Sequence, residues 1–126
     1  MIKPAELVEI ANADSEFKLA ARLWSTTLRL DVGEQPYVMR VDDGRISEFA
    51  PCGSDKLADL DWTVRIFAAP EEWNEFLKPV PRAFYQDLTG AVMRHGFQIE
   101  GDLLSFNPYY AAMRRLFDIM RQADAA

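Results

Sequence analysis

One cysteine, one histidine and six glycines leave several kinds of protein with too little to work with. Cys52 has no partner for an intrachain disulfide, and so little cysteine fits a reducing compartment. With His95 as the lone histidine, zinc-ligand spacings and the helical His-Glu-x-x-His pattern are missing, as is a glycine-rich phosphate loop. Basic residues are the scarcer charge, 14 against 20 acidic, for a formal charge of −6. A phosphate backbone is bound through clustered Lys and Arg, so no nucleic acid is expected as a partner. No apolar run approaches membrane-spanning length, and Glu6 and Glu9 fall where a signal peptide needs a basic start and an apolar core. The expectation is a soluble, cytoplasmic protein.

At 126 residues the chain fits a single domain, residues 1–126, long enough to bury a core without metal or disulfide staples. Its last quarter organises the rest. Phe97 and Ile99 alternate with Gln98 and Glu100 as a short half-buried strand. Phe106, Tyr109, Tyr110, Met113, Leu116, Phe117 and Met120 then recur at helical spacing. Gly101 permits the sharp turn between them, Asp102 can accept hydrogen bonds from the amides that follow, and Pro108 predicts a regular helix from about Asn107.

Upstream, Pro4 suits a first helical position ahead of Leu7, Val8, Ile10 and Ala11. Asp14 or Ser15 then caps a second helix whose apolar residues are Phe17, Ala20, Ala21, Leu23 and Trp24. Alternation predicts strands over 28–32 and 37–41, and Asp42-Asp43-Gly44-Arg45 turns the chain into a returning strand, Ile46 to Phe49. Trp62, Val64 and Ile66 share one face of a fourth strand. Pro70-Glu71-Glu72 opens a helix that buries Trp73, Phe76 and Leu77, and Pro79 and Pro81 break it. A further helix, from about Arg82 to His95, buries Tyr85, Leu88 and Ala91 or Val92. The class is α+β, a five-stranded, largely antiparallel sheet covered by helices on one face.

Candidate chemistry is thin. His95 sits at a helix end beside Gly96, where it interacts well with free carbonyls, and no base or basic cluster flanks Cys52. Asp59 and Asp61 lack a further ligand pattern, and Glu71 and Glu72 suit a helix start. No catalytic residue, metal or cofactor is expected. Arg114, Arg115 and Arg121 against Asp118 make the last helix locally basic, either as cations near its C-terminus or as a surface for anionic lipid headgroups.

Four short motifs recur together: Asp43-Gly44-Arg45-Ile46 in the hairpin, Ala58-Asp59 leading into Trp62-Thr63-Val64-Arg65, Pro70-Glu71-Glu72-Trp73, and Ile99-Glu100-Gly101-Asp102. This arrangement resembles the sterol carrier protein 2 family over roughly residues 20 to 121. Lys78-Pro79-Val80-Pro81 departs from the best-known lipid carriers, and Gln122 to Ala126 is no recognisable peroxisomal ending. The resemblance implies a hydrophobic tunnel between the sheet and the C-terminal helix that accepts a fatty-acyl chain or other lipid. Met39, Trp62, Val64, Ile66, Trp73, Leu77, Leu88, Val92, Tyr109, Met113 and Phe117 would face it. It implies non-catalytic binding or transport of an apolar small molecule, with transient membrane contact. The alternative is a protein-interaction subunit, for instance a homodimer, with the same fold and a filled core.

Overall fold

Alternating apolar residues and a tight Asp-Gly turn build the centre of the molecule. A computed structural model describes residues 2–125, with side chains over residues 2–123. Helices α1 (Pro4–Ala13) and α2 (Ser15–Ala20) precede the meander β1 (Thr26–Val32), β2 (Gln35–Asp42) and β3 (Arg45–Pro51). A short helix, α3 (Ser54–Leu57), then leads to β4 (Val64–Ala68), α4 (Pro70–Phe76), α5 (Leu88–Arg94) and β5 (Gln98–Gly101). The chain closes with α6 (Leu103–Phe106), a 3-10 turn (Asn107–Tyr109) and α7 (Tyr110–Ala125). Asp43 and Gly44 both have positive φ, 49° and 80°, the conformation a two-residue hairpin turn requires.

The five strands lie in the order β3-β2-β1-β4-β5. Every neighbouring pair is antiparallel except β1 and β4, which run parallel from Leu28↔Val64 to Val32↔Ala68. One face contributes Leu28, Leu30, Met39, Val41, Val64 and Ile66 to a single core cluster with residues from α1, α2, α4, α5 and α7. The other face is charged. Arg29 and Arg65, paired across β1 and β4, both donate to Asp31, at 2.9 and 2.7 Å, and Arg65 reaches Glu100 on β5 at 3.1 Å. Asp31 is buried yet doubly paired, as a carboxylate removed from water must be.

The structure moves several sequence-derived boundaries. The ladder of β4 begins at Val64, where pairing with β1 begins, so Trp62 precedes the strand and stands half-buried outside the core cluster. Helix α2 stops at Ala20; Leu23 takes φ 69° and is exposed, because the hairpin tip at Gly44 packs against the Ala21–Arg22 backbone. Ile10 is also exposed, and α1 buries Leu7 and Ala11 instead. The helix expected from Arg82 begins only at Leu88. Phe84 has φ 67°, and the Tyr85 carbonyl accepts from Arg121, so tertiary hydrogen bonds override local helix preference. Near the end, Asp102 caps a helical turn as expected, accepting from the Ser105 amide, and that turn starts before Asn107.

Gly101 is the tightest junction. Its φ is 117°, and a Cβ there would collide with the Thr63 carbonyl oxygen and stand 3.0 Å from Val64 Cα. Gly33, at φ 60°, would place a Cβ 3.0 Å from the Pro70 ring. Gly101→Val meets immovable backbone and should cost on the order of several kcal/mol, against about 1–2 for Gly33→Ala. Urea midpoints of the two variants measure the difference; equal midpoints would refute the ranking. Wild-type protein should unfold in one cooperative transition, and two separate transitions would contradict a single domain.

Candidate functional site

The core between sheet and closing helix is occupied by large side chains. Trp73 is fully buried, its indole N–H donating to the Asp31 carbonyl at 2.8 Å. Around it stand Phe97, Phe76 and Phe117, with ring centroids 4.9, 6.0 and 6.2 Å away. Met39, Val64, Ile66, Leu77, Leu88 and Met113 are buried in the same cluster. Of the residues expected to face a ligand, most therefore meet as mutual packing partners. Tyr109 stacks on Trp24 at 5.2 Å, and Trp62 stays outside.

Beside this core lies an apolar cleft of about 170 Å³, formed where α5 and the edge strand β5 face the start of the closing helical segment. Leu88, Val92, Ile99, Leu103, Phe106 and Tyr110 supply its principal walls. Leu88 and Val92 were expected at a ligand; the others were not. The cue for Leu103 is a Leu-Leu pair directly after Gly-Asp, and Tyr110, although in the helical stripe, takes the place expected for Tyr109. Met93 and Leu104, 75% and 88% exposed, add apolar surface around this region.

The polar end of the cleft is a short chain of hydrogen bonds. Tyr110 donates to Asp87 Oδ2 at 2.8 Å and accepts from the Thr89 amide at 3.0 Å, while the Thr89 hydroxyl stands 2.8 Å from the Tyr110 oxygen. Burial raises the Tyr110 pKa above that of a free phenol, so the hydroxyl keeps its proton.

His95 and Glu72 are used structurally. His95 stacks on Tyr85 with centroids 3.6 Å apart, and its Nε2 lies 3.1 Å from the Ala83 carbonyl. Glu72 does more than start a helix: it accepts from the Tyr85 hydroxyl at 2.7 Å. Cys52 Sγ faces the Gly53 carbonyl at 3.5 Å, while Asp59 and Asp61 are exposed. Among the described residues, no group of three or more His, Cys, Asp or Glu is placed to hold a metal ion, and no helix is long and apolar enough to cross a membrane.

The three arginines of the last helix are each committed within the molecule. Arg114 faces Asp87 at 3.4 Å. Arg115 grips Asp14 with two hydrogen bonds, of 3.0 and 2.8 Å. Arg121 is buried; it donates to the carbonyls of Phe76 and Tyr85 and to Asp118, and lies 4.6 Å over the Phe76 ring. Burial pushes its pKa down, with Asp118 opposing.

No family model and no curated protein matches the sequence. Solved structures do match. A sterol carrier protein 2 superposes with a TM-score of 0.76 at 19% identity, over 95% of this chain and 96% of that one. A Thermus thermophilus protein described as possibly a sterol carrier protein gives 0.66 at 16%, over 97% and 89%. A ubiquinone synthesis protein, UbiJ-SCP2, gives 0.60 at 15%, over 98% and 90%. The chain has the sterol carrier protein 2 fold: α+β, with a mostly antiparallel five-stranded sheet.

Asp14 carries a pH signature. Its hydrogen bonds to Arg115, ahead of the Phe17 amide, hold its pKa at about 2 against an ordinary 3.8. The folded form is thus the weaker proton acceptor. Its stabilisation is complete above about pH 4 and is lost as pH falls toward 2; with solvent screening of this partly exposed pair it amounts to about 1 kcal/mol. Acid titration of stability should show that loss in wild type and not in Asp14→Asn; identical acid limbs would contradict the assignment.

Proposed function

We propose that this protein binds a fatty-acyl or comparable apolar small molecule without changing it chemically, with the aliphatic part of the ligand in the α5–β5 cleft. The observation that carries this reading is an open, predominantly apolar cleft with exposed Leu103, Leu104 and Met93 nearby, on a fold shared with sterol carrier protein 2. An apolar cavity of roughly 150 Å³ takes a benzene-sized molecule, so about 170 Å³ accepts only part of a long chain. A longer tail requires α6 to move away from α5. That segment is lightly held: of α6 only Phe106 is buried, and the 3-10 turn packs partly through Tyr109 on Trp24. The other buried residues expected at a ligand, Met39, Val64, Ile66, Trp73, Leu77, Met113 and Phe117, pack in the core cluster and are not among the residues that line the cleft.

Native mass spectrometry and solvent extraction of freshly purified protein test the reading at once. Retained apolar small molecules support it; protein that retains none and binds no added fluorescent fatty acid would sink it. Variants locate the ligand. Val92→Phe narrows the cleft and should weaken probe binding at nearly unchanged melting temperature, because lost space removes the ligand's apolar contacts. Met113→Trp overpacks a filled region and should destabilise the ligand-free protein by about 1–3 kcal/mol. If Met113→Trp loses probe binding while keeping its stability, and Val92→Phe binds normally, the ligand lies under the closing helix and not in the cleft.

A further inference from the structure

The polar end of the cleft has a direction set by its proton count. A carboxylate accepts hydrogen bonds and donates none, so the 2.8 Å contact between Asp87 Oδ2 and Tyr110 uses the phenol's one proton. With that proton spent, the Tyr110 oxygen can only accept, from the Thr89 amide at 3.0 Å and from the Thr89 hydroxyl at 2.8 Å. Thr89 therefore gives its proton to Tyr110, and Tyr110 gives its own to Asp87. The Thr89 oxygen keeps two lone pairs and has no proton left for a ligand, while Tyr110 is saturated.

Charge points the same way. Arg114 stands 3.4 Å from Asp87 and balances it, which leaves no spare cation at this end. Arg94 lies 4.9 Å over the Phe84 ring and is not among the cleft walls. The Asn107 amide at the rim both donates and accepts, so it does not discriminate.

We propose that the polar end of the cleft selects an apolar ligand whose head group donates a hydrogen bond, a long-chain aliphatic alcohol, over one whose head group only accepts, an ionised fatty acid or an ester. The inference rests on the cleft being the binding site, and it narrows the ligand class there. An alcohol brings the proton that Thr89 lacks. A carboxylate or ester sets its lone pairs against those of Thr89. A small preformed space and an opening segment suit a flexible tail better than a rigid fused ring.

The test is displacement of Nile red, an uncharged probe, from the full chain at neutral pH by dodecanol, dodecanoate, methyl dodecanoate and dodecane. Dodecanol should displace it at a concentration roughly tenfold below that of dodecanoate or the ester, the difference one made hydrogen bond confers. Thr89→Val should reduce dodecanol to the level of dodecane. In Asp87→Asn the amide can donate to Tyr110 as well as accept from it, so the phenol proton is no longer held at residue 87 and the Thr89 proton is free to turn into the cleft. That variant should shift preference toward the ester and the carboxylate, and it decides the matter if Thr89→Val fails to fold. Equal or stronger displacement by dodecanoate or the ester in wild type overturns the selectivity while leaving the carrier reading standing. Failure of Nile red to bind wild-type protein at all overturns both.

Discussion

The fold converges on the indole of Trp73. Its N–H donates to the carbonyl of Asp31 in β1, while its rings touch Phe76 in α4, Phe97 just before β5 and Phe117 in α7. A buried N–H without an acceptor costs free energy, so the indole orientation is dictated by one oxygen of the central strand. On the other face the Asp31 carboxylate holds Arg29 and Arg65. One residue thus anchors the aromatic core through its backbone and the charged face through its side chain, and the two layers cannot shift independently.

Much of this was legible in the sequence because it depends on short-range pattern. The alternation of the first two strands, the Asp-Gly turn, the Pro70 helix start and the inward stripe of the closing helix are present as read, and of the two residues offered as the second helix's cap it is Asp14 that serves. What escaped depends on distant partners. Nothing local says that Arg121 will draw the Tyr85 carbonyl to itself and delay α5 to Leu88, or that pairing with β1 begins at Val64 and leaves Trp62 outside. The cleft was half legible. Leu88 and Val92 belong to the cavity-facing set that the family resemblance implies, but Leu103, Phe106 and Tyr110 join them only because Gly101 turns the chain directly beneath Thr63.

A filled core and a binding protein are compatible when the two occupy different volumes. The aromatic cluster around Trp73 packs through edge contacts, which fix ring positions and leave little slack. The cleft, in contrast, is bounded by Leu88, Val92, Ile99 and Leu103 with Phe106 and Tyr110, drawn largely from a seven-residue helix, a four-residue edge strand and a four-residue helical turn. Short elements with few buried residues open at low cost, so space for a ligand is cheapest there.

The arginines of the closing helix decide which end of it can yield. Arg121 caps the C-terminus of α4 through the Phe76 carbonyl, a group with no partner inside that helix, and Arg115 clamps α2 through Asp14. Both lie in the latter part of the helical segment. Residues 103–110 include no charged side chain: Leu104 faces solvent, Pro108 interrupts the regular hydrogen bonding, and Phe106, the Tyr109–Trp24 stack and the Tyr110 bonds to Asp87 and Thr89 hold this start. A strain placed on this segment is therefore taken up at residues 103–109, next to the cleft, while the C-terminal turns stay docked on the core. The same charges that make the last helix look basic in sequence serve in the fold to confine motion to the end beside the cleft.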